Sequence, residues 1–115
     1  MPLIQLHTSV PVPEERRADL LASLSKLVAE CIGKPEQYVM ATVDTPSMLM
    51  SGKSGPAALA EVRSIGGLNG KVNRLISSRL AKLLQEALGI SPERVYLNFM
   101  DVAAADWGWR GETFG

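Results

Sequence analysis

The chain repeats itself. Residues 24–44 read LSKLVAECIGKPEQYVMATVD and residues 80–101 read LAKLLQEALGISPERVYLNFMD. Lys26-Leu27-Val28 answers Lys82-Leu83-Leu84, and Glu30 answers Glu86. Gly33 answers Gly89, Pro35-Glu36 answers Pro92-Glu93, and Asp44 answers Asp101. One inserted residue after the glycine keeps the two stretches in register. Such self-similarity means two copies of one supersecondary unit, spanning about residues 1–50 and 57–105.

Each unit reads strand, helix, strand. The first strand is Pro2 to about Thr8. The first helix starts after Val12-Pro13-Glu14, with proline and acids in the first turn. Leu20, Leu21, Leu24, Leu27, Val28, Cys31 and Ile32 give it an apolar stripe at helical spacing. Gly33 suits its C-cap. Tyr38 to Val43 is β-branched and aromatic enough for a strand. Asp44 to Pro56, with two prolines and two glycines, reads as loop, its Ser51–Gly55 stretch flexible and solvated. Ala57 to Ile65 is the next strand, GGLNG (Gly66 to Gly70) a tight turn, Lys71 to Leu88 the second helix and Arg94 to Met100 the last main strand. The tail reads as irregular, with room for one short strand.

The pattern predicts an α/β (α+β) fold: a tandem β-α-β repeat on one mixed four-stranded sheet. The crossovers are right-handed, and both helices lie on one face because each has a single apolar stripe. Leu3, Ile4 and Leu6, and Val39, Met40, Ala41 and Val43, are apolar on both sides of their strands, the pattern of a sheet covered on both faces. No helix is left to cover the second face, so an oligomer in which sheets pack on sheets is expected. Zero net charge with 46% hydrophobic residues points the same way.

At 115 residues the chain is one domain. It is long enough to bury roughly two thirds of its unfolded surface without disulfides or metals. Twelve basic residues balance twelve acidic ones, so the overall field favours neither nucleic acid nor an acidic membrane. The lone Cys31 can form no internal disulfide and suits a reducing compartment; on the apolar stripe it reads as a buried, inert thiol. No signal peptide and no membrane span of about 20 apolar residues is expected. The expected location is cytoplasmic, or secreted without a signal peptide.

Pro2 raises a chemical question. A proline is tolerated as the first residue of a strand, where its missing donor matters least. Small second residues usually allow removal of the initiator Met. Pro2 would then carry a secondary amine that can take a proton. His7 stands alone, without a second metal ligand in view, and no metal or other cofactor is expected. GGLNG lacks the Walker and dinucleotide spacings of a phosphate loop. Lys34, just after the C-cap glycine, can answer the helix dipole. Tyr96 and Asn98 alternate on one strand and so share a face. Buried together they need hydrogen-bond partners, which suggests a polar site or a subunit contact.

Taken in order, these residues resemble the macrophage migration inhibitory factor family of the tautomerase superfamily. The resemblance rests on the opening MP, VP at Val10-Pro11, GKP at Gly33 to Pro35 and QYV at Gln37 to Val39. SIG at Ser64 to Gly66, SPERVYLNFMD at Ser91 to Asp101, GW at Gly108-Trp109 and TF at Thr113-Phe114 continue it, so that it covers essentially the whole chain. The resemblance implies a homotrimer with sheets lining a central channel and active sites between subunits. It implies Pro2 as catalytic base, Lys34 for the substrate carboxylate, and Ser64 and Ile65 beside them. It places Tyr96 and Asn98 in the site from a neighbouring subunit. Tyr38, Trp107, Trp109 and Phe114 form the aromatic lining. The implied activity is an isomerase of the phenylpyruvate tautomerase type, acting on aryl α-keto acids, with no nucleic-acid or membrane partner.

Two departures qualify it. The CxxC of mammalian members is AALA here (Ala57 to Ala60), so thiol oxidoreductase activity is not expected. Trp107 stands where those members have a small aliphatic residue, which narrows or reshapes the pocket against bulky dopachrome-type substrates. Two other functions compete. One is a cytokine-like binding protein acting through its surface. The other is a dehalogenase or hydratase, for which the arginine beside Pro2 is lacking.

Overall fold

A computed structural model describes residues 1–115. The main elements are β1 (Pro2–Thr8), α1 (Glu14–Ile32), β2 (Met40–Asp44), β3 (Ala58–Ser64), α2 (Gly70–Leu88) and β4 (Val95–Asp101). A small hairpin, β5 (Gly108–Trp109) and β6 (Glu112–Thr113), ends the chain. The tail thus holds two short strands where the sequence suggested one. Arg110 and Gly111 make its turn with left-handed φ of 56° and 80°.

The repeat is visible in the backbone. Within each half the strands run parallel, β1 with β2 and β3 with β4, and the halves join through an antiparallel β1–β3 pair. The sheet order is β2-β1-β3-β4. Both Pro-Glu pairs open a single 3-10 turn before the last strand of their half, at Glu36–Tyr38 and Pro92–Arg94. That turn takes Tyr38 out of the strand expected to begin there, and β2 starts at Met40.

Helix ends follow local chemistry. Glu14 and Glu15 lie in the first turn of α1, where the dipole favours acids. Gly33 closes that helix at φ 78°, its N–H donating to Ala29 O. Asn69, which the sequence reading passed over inside GGLNG, caps α2 by accepting the Val72 N–H at 2.9 Å. Gly67 of the same loop would be strained as any other residue. Its φ is +83°, and a Cβ there would lie 2.7 Å from Ile32 Cγ2, so the loop packs directly on the end of α1.

Alternation sorts the sheet into two faces. Ile4 and Leu6, with Ala60 and Val62, turn toward the helices and are fully buried against Leu24 and Val28 of α1 and Ile76, Leu80 and Leu84 of α2. The opposite face has no helix over it. By register it carries three cross-strand rows: Met40, Leu3, Arg63 and Met100; Thr42, Gln5, Glu61 and Asn98; Asp44, His7, Leu59 and Tyr96. This face is less apolar than the sequence suggested, because Ala41 and Val43 turn toward the core while Thr42 and Asp44 turn out. Apolar bulk remains exposed at Met40, Met100 and Tyr96.

The loop before β3 is pinned, not free. Arg94 donates to the carbonyls of Met50, Lys53 and Pro56 at 2.9, 3.0 and 3.1 Å, using the fork of guanidinium donors. His7 also has partners that the sequence did not reveal. Its Nδ1 lies 2.6 Å from Asp44 Oδ1 and its Nε2 lies 2.7 Å from Glu61 Oε2, stitching β1 to β2 and β3. Donating to both carboxylates requires a proton on each nitrogen.

The Glu61 hydrogen bond is the chief cause raising the His7 pKa above 6.5; partial burial opposes it and Asp44 adds to it. A raised folded-state pKa stabilises the fold fully below the unfolded value and loses that contribution as pH rises through the folded value. As pH rises from below 6.5 through the raised folded-state value, the urea midpoint of the wild type should therefore fall more steeply than that of His7→Asn. Parallel curves would mean that the bracket contributes nothing.

Candidate active site at the start of the first strand

β1 begins at Pro2, directly opposite Ser64 at the end of β3. Two adjoining hollows open at this edge, and Met1 and Tyr38 line both. One, of about 510 Å³, is walled by Lys34, Pro35, Ile65 and Phe114. The other, of about 500 Å³, holds Pro2 with Leu3, Met40, Trp107 and Trp109. The fold thus gathers Pro2, Lys34, Tyr38, Ile65, Trp107, Trp109 and Phe114 from four separate stretches of chain.

Lys34 follows the left-handed cap of α1, and its backbone N–H still bonds to Ala29 O at 3.1 Å. Its side chain does not answer the helix dipole. Lys34 Nζ donates instead to Ile65 O at 2.6 Å. A cation from the first half is thereby held by a carbonyl from the second. The α-amino group at the chain start is pushed below its ordinary value of 8.0, first by partial burial and then by the charge of Lys34. Both causes disfavour the ammonium form. An amine placed here is more often neutral near physiological pH than one in water, which suits it to accept a proton.

The apolar wall comes from the terminal hairpin. Trp109 and Phe114 stack with ring centroids 5.5 Å apart and planes 12° from parallel. Phe114 N–H donates to Trp107 O at 3.2 Å, which ties the last residues to the segment carrying Trp107. Arg110 lies with its guanidinium 4.7 Å from the centre of the Trp109 ring. An aryl group entering the second hollow would meet this aromatic surface.

Ser64 sits beside Pro2 with its Oγ buried and without a hydrogen-bond partner. A hydroxyl left so costs about 1–3 kcal/mol. Tyr96 and Asn98 do not join this group. They share a face as expected, but it is the open one, in the rows of Leu59 and Glu61, whereas Pro2 turns toward the helix side. Tyr96 is 65% exposed in the single chain, not buried. Cys31 is buried, with its thiol pushed up chiefly by that burial, which disfavours the reactive thiolate. Sequence reading missed Leu3, Pro35 and Met40 as lining residues, since nothing in their types marks them. It also missed Asp101, whose Oδ1 accepts the Gly66 N–H at 2.9 Å.

Replacing Lys34 with Met should move the N-terminal amine pKa part of the way back toward 8.0, since burial, the larger cause, remains. The pH dependence of amine labelling measures this, and an unchanged midpoint would show that Lys34 exerts no field there.

Comparison with known proteins shows the family. The family model described as macrophage migration inhibitory factor matches residues 1–115. The macrophage migration inhibitory factor of Meriones unguiculatus is 44% identical over an alignment of 119 positions that covers 99% of each chain. The macrophage migration inhibitory factor homolog of Trichuris trichiura is 39% identical, over 99% of this chain and 100% of its own. Among solved structures, the homologue from Prochlorococcus marinus superposes with a TM-score of 0.92 at 40% identity, covering 98% of this chain and 99% of that one. The full-length match in sequence and in fold leads to one conclusion: the chain belongs to the macrophage migration inhibitory factor family, within the tautomerase superfamily.

Proposed function

We propose that the protein is a keto–enol tautomerase of the phenylpyruvate type, with Pro2 as general base once Met1 is removed. Family membership supports isomerase activity in general. The observation that carries the finer reading is the hollow where an N-terminal amine, depressed by burial and by Lys34, adjoins an aromatic wall. With Met1 in place the Pro2 nitrogen is an amide and has no basic lone pair. Without it, the nitrogen is a secondary amine on a buried residue that lines the second hollow. In the keto-to-enol direction, Pro2 takes a proton from the carbon next to the ketone of an aryl α-keto acid. The electron pair left behind forms the enol double bond, and the proton is returned to the ketone oxygen. Ketonisation runs the same steps backward.

Lys34 holds the substrate carboxylate through an ammonium donor not used on Ile65 O, in a charge-assisted contact. Ser64 lies beside the base with an unused hydroxyl. Tyr38, Trp107, Trp109 and Phe114 pack the aryl ring. Tyr96 and Asn98 complete the site from a neighbouring copy, which fits their place on the uncovered face. A homotrimer with sites between subunits accounts for that face and for the exposed Met40, Met100 and Tyr96.

Ultraviolet decay of enol phenylpyruvate tests the base, using protein shown by intact mass to lack Met1. The wild type should ketonise it fast. Pro2→Gly, which keeps an amine but loses the ring, should fall by at least about 100-fold, the usual share of a general base. Background rates from both proteins would discard the tautomerase reading and favour a binding protein acting through its surface.

The assembly is tested separately. Light scattering at micromolar concentration should give three times the 12.4 kDa chain mass. A monomeric mass would remove Tyr96 and Asn98 from the site.

A further inference from the structure

A single peptide group at the edge of the site is gripped from both sides by opposite charges. The carbonyl of Ile65 accepts from Lys34 Nζ at 2.6 Å, and the N–H of Gly66, in the same peptide unit, donates to Asp101 Oδ1 at 2.9 Å. In a trans peptide the C=O and N–H point in opposite directions. Cation and carboxylate therefore pull along one dipole, and each of the two bonds is charge-assisted. Gly66 has φ +72° and Gly67 +83°. Glycine accepts either sign of φ, so on the Gly66 side no side chain opposes turning over the peptide in front of it; the matching rotation is ψ of Ile65. Turned over, it would take the carbonyl away from Lys34 and present an N–H to that cation.

Little else holds the group in place. Ser64 O accepts from Val102 N–H at 2.9 Å, which ties the loop to the end of β4, but that bond lies one peptide earlier. Asp101 is at the same end of β4, opposite Ser64 in the register, and its side chain supplies the missing tie. Its counterpart in the first half, Asp44, is spent on His7 instead. We propose that Asp101 is a positioning residue, whose carboxylate latches the Ile65–Gly66 peptide with its carbonyl toward Lys34 and so sets where that cation stands in the hollow. The kinetic consequence rests on the tautomerase reading; the structural one does not.

The test compares Asp101→Ala with Asp101→Asn in the full chain lacking Met1, after folding is checked by nuclear magnetic resonance spectra. The Asn amide oxygen can still accept the Gly66 N–H; Ala cannot. In Asp101→Ala the Gly66 amide should exchange faster and the Lys34 side-chain ammonium signal should shift and lose order. Asp101→Asn should keep most of both. For ketonisation of enol phenylpyruvate, Asp101→Ala should raise KM by about tenfold with little change in kcat, the scale of one lost charge-assisted hydrogen bond. Adding Asp101→Ala to Lys34→Ala should raise KM no further. A Lys34 signal unchanged in Asp101→Ala overturns the proposal, whether or not the protein turns over substrate. So does a lower melting temperature with KM unaltered. Absence of ketonisation in the wild type would strike only the tautomerase reading, and the Gly66 and Lys34 signals would still decide the latch.

Discussion

The antiparallel pairing of β1 with β3 is the contact on which the rest depends. Each half of the chain is a strand-helix-strand unit that pairs within itself in parallel. Within the sheet only β1–β3 joins them, from Pro2 opposite Ser64 to Thr8 opposite Ala58. This register places the chain start beside the loop that leaves β3. It also brings the alternate residues Ile4, Leu6, Ala60 and Val62 onto one face, where two amphipathic helices bury them. A shift of one residue would turn the whole apolar set of a strand outward, so core burial and site geometry are enforced by the same pairing.

The site illustrates how a duplicated unit diverges. Lys34 stands after the helix of the first half, and the Ile65 carbonyl and the Gly66–Gly67 turn stand before the helix of the second. Packing of Gly67 against Ile32 brings the two connections into contact, and only an absent Cβ allows it. The paired aspartates then do different work. Asp101 secures a backbone amide at the site, while Asp44 completes the charge bracket around His7 on the far side of the sheet.

The open face is the part of the sheet that no element of the chain covers. Its middle and far rows carry His7, Asp44, Glu61 and Gln5, which water can solvate, but Met40, Met100 and Tyr96 leave bulky apolar groups exposed. Exposed apolar bulk gathered on one sheet face is the usual mark of a contact surface. Tyr96 and Asn98, absent from the hollows around Pro2 within one chain, lie on this surface.

Much was legible without coordinates. The repeat, the helical stripes ending in Gly33 and Gly89, and the order of strands follow from local periodicity and capping, which neighbouring residues dictate. Motif order alone pointed to Pro2 and Lys34. Tertiary structure decided what those residues touch. That Lys34 reaches Ile65 and not its own helix end, that His7 has two carboxylate partners, and that Arg94 pins a loop about 40 residues away are contacts between segments remote in sequence. The Pro-Glu turns also displaced the start of β2, because a 3-10 turn and a strand compete for the same few residues. Local spacing determines an element; which side chains meet across elements depends on register and packing, and no single stretch of sequence contains both partners.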